Sequence, residues 1–204
     1  MNKKLNLRRI IFAMLAAAWM CVIFWFSAQD ADLSELQSHR VGYAVGRMAV
    51  PGFNDLPEES RRAFAEKVDM PVRKAAHATE YALLGMLLTG ALWQEPRRDA
   101  PDAAPEVQMR QASGNKTPEP APVGEPALRY APSGLYALAI SAAYAATDEF
   151  HQLFVLGRAC RFSDVLIDSA GAGVGIFAVL FIIRIIVIRS REGYYGSKKS
   201  RSTY

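Results

Sequence analysis

The chain has 204 residues, with 24 Lys and Arg against 20 Asp and Glu, a net charge of +4, 51% hydrophobic residues and a mean hydropathy of +0.04. This is barely more apolar than a soluble protein, but the apolar residues fall into four long blocks separated by charged or proline-rich stretches, the grouping of a polytopic membrane protein. A large soluble enzyme is excluded, as is a disulfide-stapled secreted domain: the two cysteines, Cys21 in the first block and Cys160 in a short polar loop, read as free thiols.

A basic head over residues 1–9, with Lys3, Lys4, Arg8 and Arg9, precedes the first block, residues 10–26. A signal peptide begins the same way. The bulky Trp19, Met20, Phe24, Trp25 and Phe26 argue against a cleavage site, so a retained helix is expected. In the first loop, Leu33, Leu36, Arg40, Tyr43, Arg47 and Met48 recur at three- and four-residue steps, which predicts an amphipathic helix on the outer membrane surface, with a plain solvated helix as the alternative.

The remaining blocks run over residues 75–93, 134–154 and 165–188, each near the roughly 20 residues a helix needs to cross about 30 Å of hydrocarbon. Residues 95–132 hold 8 of the 11 prolines and read as a disordered cytoplasmic insertion; a basic tail follows over 189–204. The head, middle loop and tail carry 14 Lys and Arg, against 9 in the other two loops. The positive-inside rule therefore puts both termini in the cytoplasm. The expected fold is an all-α integral membrane bundle of four transmembrane helices with an interfacial helix in the first outer loop.

In that topology the polar residues of the helices collect at the extracytoplasmic end. Ser27 and Gln29 close the first helix; Lys74, His77, Glu80 and Tyr81 open the second; Asp148, Glu149 and Gln152 lie late in the third; Asp164 and Asp168 open the fourth. Leu135 to Thr147 is too short to cross the hydrocarbon, so Asp148 and Glu149 should lie below the outer interface. An unpaired ionised carboxylate there costs at least roughly 2.5 kcal/mol, and Lys74, His77, Arg158 and Arg161 are the expected partners. Lys74, His77 and Tyr81 share one helical stripe, as do Asp148 with Gln152 and Asp164 with Asp168. Gly171 and Gly175 form a small-xxx-small step that would admit close helix packing.

These residues resemble the VanZ-like family of membrane proteins. The resemblance rests on Phe26, Ser27 and Gln29 with Ser34 and Ser38; on Lys74, His77, Glu80, Tyr81, Leu84 and Gly85; and on the run Thr147 to Phe154 with Gly157, Arg158, Asp164, Asp168, Gly171 and Gly175. Many relatives carry Asn where this chain has Asp168, and the Pro/Ala insertion is longer than is usual in the family. The resemblance implies a bacterial cytoplasmic-membrane protein of the envelope whose best-known relative lowers susceptibility to the glycopeptide teicoplanin.

Two readings of the cluster stand side by side. It is either a buried salt-bridge network that fixes packing, or a pocket open to the outer leaflet. In the second, His77, Glu80, Asp148 and Glu149 are the candidate catalytic groups, and Ser27, Gln29, Lys74, Tyr81, Gln152, Arg158, Asp164 and Asp168 line the pocket. His77 would be the acid/base and Arg158 an anion clamp; Asp164 could equally be a helix N-cap, and His151 is expected to point away from Asp148. No resident metal site is indicated, but the surplus of acids over bases leaves a divalent cation open as a cofactor. Membrane lipids, a glycopeptide or a lipid-linked cell-wall precursor are the expected partners, and nucleic acid is not. Three functions follow: a non-enzymatic resistance protein, a membrane enzyme acting on a lipid-linked cell-wall substrate, or a small transporter, the last disfavoured because no polar path continues inward.

Overall fold

The structure, a computed structural model, describes residues 3–93 and 126–201. Among the described residues the chain is all-helical: α1 Lys3–Ser27, α2 Ala31–Ala49, a 3-10 turn Phe53–Asp55, α3 Glu58–Leu92, α4 Pro126–Gln152 and α5 Phe162–Arg201. Most of the expected insertion lies outside the described residues. Its last part does not: α4 begins at Pro126 rather than Gly134, with the proline at the first helical position, where its missing N–H is no loss. The tail likewise continues α5 to Arg201 instead of forming a separate segment.

The largest correction concerns α3. It starts at Glu58, not Ala75, and its 35 residues extend about 52 Å at 1.5 Å per residue. Glu58 and Glu59 sit in its first turn, where the helix dipole favours acids, and a run of strong helix formers follows. Pro71 lies inside the helix without ending it. The first half of α3 packs against α2 as a helical hairpin. There the amphipathic helix expected in the first loop is present, but the buried face is Ser38, Gly42 and Gly46, and the Leu33, Leu36 and Met48 stripe points away from the protein.

Lipid-type polarity governs the rest. Large apolar side chains such as Ile10, Met14, Trp25, Leu135, Ile140, Val174, Phe177 and Phe181 face outward, while the interior holds Ala16, Ala137, Ala145 and Ala172 with Ser141, Thr89, Asp148 and Asp168. In water such an exterior would be an aggregation liability. Two helical segments, Leu7–Ser27 and Phe162–Ile186, are long and apolar enough to cross a membrane.

The helices α3 and α5 run parallel and meet backbone to backbone. A methyl group on Gly171 would collide with the Ala78 carbonyl, one on Gly175 with the Ala82 carbonyl, and one on Gly85 would come within 2.5 Å of the Ala172 carbonyl oxygen. At the other end of the molecule, Arg8 and Arg9 of α1 donate to the carbonyls of Trp93 and Ala91 at 3.0 Å each, capping the C-terminus of α3, and Arg8 lies 4.5 Å over the Trp93 ring. Cations there complement the helix dipole.

If the seam sets the spacing, Gly175→Leu should lower the unfolding midpoint in detergent sharply, with overpacking alone worth about 1–3 kcal/mol. Gly173→Ala, on the same helix with open space around it, should leave the midpoint unchanged or raise it slightly.

Candidate functional site

The site is built where the end of α1, the middle of α3, the end of α4 and the start of α5 converge, closed by the loop between α4 and α5. That loop is shaped from inside and outside. Gly157 adopts a left-handed conformation, φ 73°, and lies so close to Ala31 that a Cβ would approach the Ala31 Cβ to 2.8 Å. Ala31 N donates to Leu156 O at 3.2 Å, tying the loop to the start of α2. From within the bundle, the Glu149 carboxylate accepts the Arg161 backbone N–H at 2.8 Å. The turn between these two anchors delivers Arg158 inward, where it is half-buried.

Two adjoining clefts flank Arg158. One, of about 160 Å³, is lined by Arg73, Lys74 and His77 of α3, Gln152 of α4, Arg158 and Arg161 of the loop, and Asp164 and Asp168 of α5. The other, of about 240 Å³, lies between α2 and α3 and is lined by Gln29, Ser34, Gln37, Ser38, Arg73, His77, Glu80 and Arg158 among others. Arg73, His77 and Arg158 belong to both.

The polar contacts divide sharply into satisfied and unsatisfied. Lys74 Nζ meets Asp164 Oδ1 at 2.9 Å, and the Ser163 hydroxyl donates to the same oxygen at 3.0 Å. Arg73 pairs with Asp69 at 2.6 Å, and Asp69 in turn accepts the Ser38 hydroxyl of α2. Gln152 Nε2 donates to the buried Ser27 hydroxyl at 3.1 Å, and Gln37 Nε2 to Gln29 Oε1 at 2.9 Å. By contrast Asp168, 1% exposed, has no hydrogen-bond partner on either carboxyl oxygen. Asp148, 3% exposed, is flanked by Ser27 and Gln152, but neither meets its oxygens at hydrogen-bonding geometry. His77 Nδ1, Tyr81 Oη and Arg158 Nε are also buried and unpartnered. Burial, and next the neighbouring Arg73, hold Arg158 below the usual arginine range, without bringing it near neutrality at physiological pH.

Several expectations are corrected by this geometry. Asp148, His77 and Arg158 are gathered at one end but form no ion pair with one another, and Arg158 makes none with any described residue. A fully paired packing network is therefore not what the cluster is. Glu149 faces neither cleft and shapes the loop; Asp148, Tyr81 and Ser27 line neither cleft. Asp164 is not the N-cap of α5, which begins at Phe162; it sits in the first turn and pairs with Lys74. His151 packs its ring on Phe24, centroids 4.4 Å apart, consistent with a place near the edge of the bundle. No three His, Cys, Asp or Glu side chains converge as a metal site among the described residues.

Arg73 is a cleft residue absent from the sequence reading, as is Asp69, which orients it and accepts the Ser38 hydroxyl. The signal was present: Asp69, Arg73 and His77 lie at successive i, i+4 steps. It was hidden because the helix was taken to begin at Ala75.

Two lipid-length apolar helices, a bundle with its greasy side outward and a polar double cleft at one end together make this an all-helical protein of membrane character. The family model described as VanZ/LLP1 matches residues 12–187, and the chain belongs to the VanZ/LLP1 family. No curated protein and no solved structure matches it.

An unpartnered buried carboxyl is a standing destabilisation. Asp168→Leu replaces it with an apolar side chain of similar shape, and should raise the unfolding midpoint in detergent by the equivalent of about 1–3 kcal/mol. Lys74→Met leaves Asp164 alone in a partly exposed place, and should lower the midpoint by about 1 kcal/mol or less.

Proposed function

We propose that the chain is a four-pass protein of the bacterial cytoplasmic membrane, with both ends in the cytoplasm, and that its outer-facing double cleft binds an anionic ligand of the cell envelope. Through that binding it contributes to glycopeptide resistance of the teicoplanin type. The observation that carries this reading is the convergence of Arg73, His77 and Arg158 on two open clefts, with Arg158 unengaged by any acid. A guanidinium kept from its carboxylates is placed to hold a phosphate or carboxylate bidentately. The apolar core packed around Ala16, Leu84, Leu88, Ala172 and Ile176 argues against a transport path.

A second reading is a membrane enzyme acting on a lipid-linked cell-wall substrate, with His77 as acid/base. It is favoured by one feature, the unpartnered His77 Nδ1 in a residue that lines both clefts. No covalent nucleophile is arranged beside it, so proton transfer to or from a bound ligand is the chemistry available.

The test is the antibiotic-susceptibility profile of a deletion strain complemented with single variants, with expression checked. Arg158→Ala should abolish the phenotype and His77→Ala should retain it. Loss with His77→Ala at normal expression favours the enzyme, and full activity of Arg158→Ala contradicts both readings. For topology, in a Cys21→Ser, Cys160→Ser background, an impermeant thiol reagent added outside should modify a cysteine at Asn54 and not one at Ser113. The reverse pattern puts the clefts on the cytoplasmic side.

A further inference from the structure

We infer that the double cleft takes the headgroup of a membrane amphiphile that carries a phosphodiester with a hydrogen-bond donor beyond it, and that this headgroup enters sideways from the bilayer. The inference rests on the ligand-site reading above and names the chemical class of the ligand.

Geometry places charge unevenly in the site. The smaller cleft has a basic rim, Arg73, Lys74 and Arg158, and a floor that includes Asp168. Lys74 and Arg73 are each engaged by an acid, whereas Arg158 is not. Asp168 is 1% exposed, lines the cleft and offers two carboxyl oxygens with no donor to meet them. A bare anion bound at Arg158 would leave that carboxyl unsatisfied. A bare cation bound at Asp168 would be repelled by the rim. A ligand with a phosphodiester at one end and an ammonium or hydroxyl at the other satisfies both Arg158 and Asp168.

Size points the same way. At about 160 and 240 Å³ the clefts are smaller than the roughly 300–1,000 Å³ that encloses a drug-sized ligand. They fit a headgroup and exclude a whole glycopeptide.

The lip of the cleft supplies the route. Beside the lining residues Gly157, Arg158 and Arg161, the loop exposes Phe154 at 75% and Leu156 at 84%, and the first residue of α5, Phe162, is exposed at 75%. Large apolar side chains left this open on a loop are costly in water and favourable in hydrocarbon. They place the mouth against acyl chains, so that tails remain in the bilayer while the headgroup reaches Arg158.

The experiment uses the purified full chain in detergent, with the unfolding midpoint followed as defined lipids are added. Phosphatidylethanolamine and phosphatidylglycerol, which carry ammonium and hydroxyl donors, should raise the midpoint at concentrations at least tenfold lower than phosphatidylcholine, whose choline has no donor. A larger response to phosphatidylethanolamine than to phosphatidylglycerol identifies the ammonium as the donor; an equal response keeps the shared donor chemistry. Asp168→Asn should remove most of the advantage of phosphatidylethanolamine over phosphatidylcholine, and Arg158→Ala should remove the shift altogether. Arg158→Lys, which keeps the charge and loses the planar fork, should weaken it and guards against misfolding of the alanine variant. Equal response to phosphatidylcholine overturns the donor requirement, and the water-soluble diester glycerophosphoethanolamine acting at the same concentration as the lipid overturns lateral entry. If lipids are not discriminated while Arg158→Ala still abolishes the resistance phenotype, the ligand class named here is wrong and the site reading stands. If discrimination is found and Arg158→Ala keeps the phenotype, the headgroup inference stands and the resistance reading is wrong.

Discussion

Where α3 and α5 cross, there is no side-chain layer between them. Gly171, Gly175 and Gly85 let each backbone rest on Ala78, Ala82 and Ala172 of the other helix, a contact that in lipid draws its stability from van der Waals packing, because lipid tails are as apolar as the side chains they would replace. The polar end inherits its dimensions from this seam. One turn or so before it on each helix come Lys74 with His77, and Asp164 with Asp168. Because the backbones are held close, Lys74 reaches Asp164 across the gap, and His77 and Asp168 line one cleft.

With the helices fixed so closely, the remaining polar groups are divided between holding the frame and facing the clefts. Glu149 holds the α4–α5 loop through the Arg161 backbone; Ser38 and Asp69 hold Arg73; Ser27 holds Gln152. Asp168 and Arg158 line the same cleft and form no ion pair with each other. A network evolved for packing alone would pair them, since a stranded charge in low dielectric is destabilising and a partner is near. Leaving a carboxyl and a guanidinium of one cavity unpaired is the arrangement expected where a third molecule completes the pairing, and it puts stability and function in opposition at Asp168.

Much of this end of the molecule was legible in the sequence. The 3.6-residue repeat places Lys74 and His77 on one stripe, where both line the smaller cleft, and the Gly171 and Gly175 spacing announces the close packing that the structure shows. What failed were boundaries and pairings. The start of α3 was obscured because Glu58 to Lys74 is charged and contains Pro71, so its periodicity reads as a loop; with it went Asp69 and Arg73. The pairing of Asp164 with Lys74, and the absence of any pairing between Asp148 and Arg158, depend on how far α5 is shifted along α3. That register is set by backbone contact between helices far apart in the chain, which no local pattern encodes. The glycine pair shows that two helices can touch, but not which residues of the partner they touch.

The central claim is that the α3–α5 seam sets the geometry of the cleft, and the most direct measurement is chemical cross-linking in native membranes. In a chain with Cys21 and Cys160 replaced by serine, cysteines at Lys74 and Asp164 should be joined efficiently by a short bifunctional thiol reagent, because these positions face each other across the gap. Adding Gly175→Leu should abolish the cross-link while the protein remains membrane-inserted. A cross-link of undiminished yield in the Gly175→Leu chain, or none in its absence, would contradict the account.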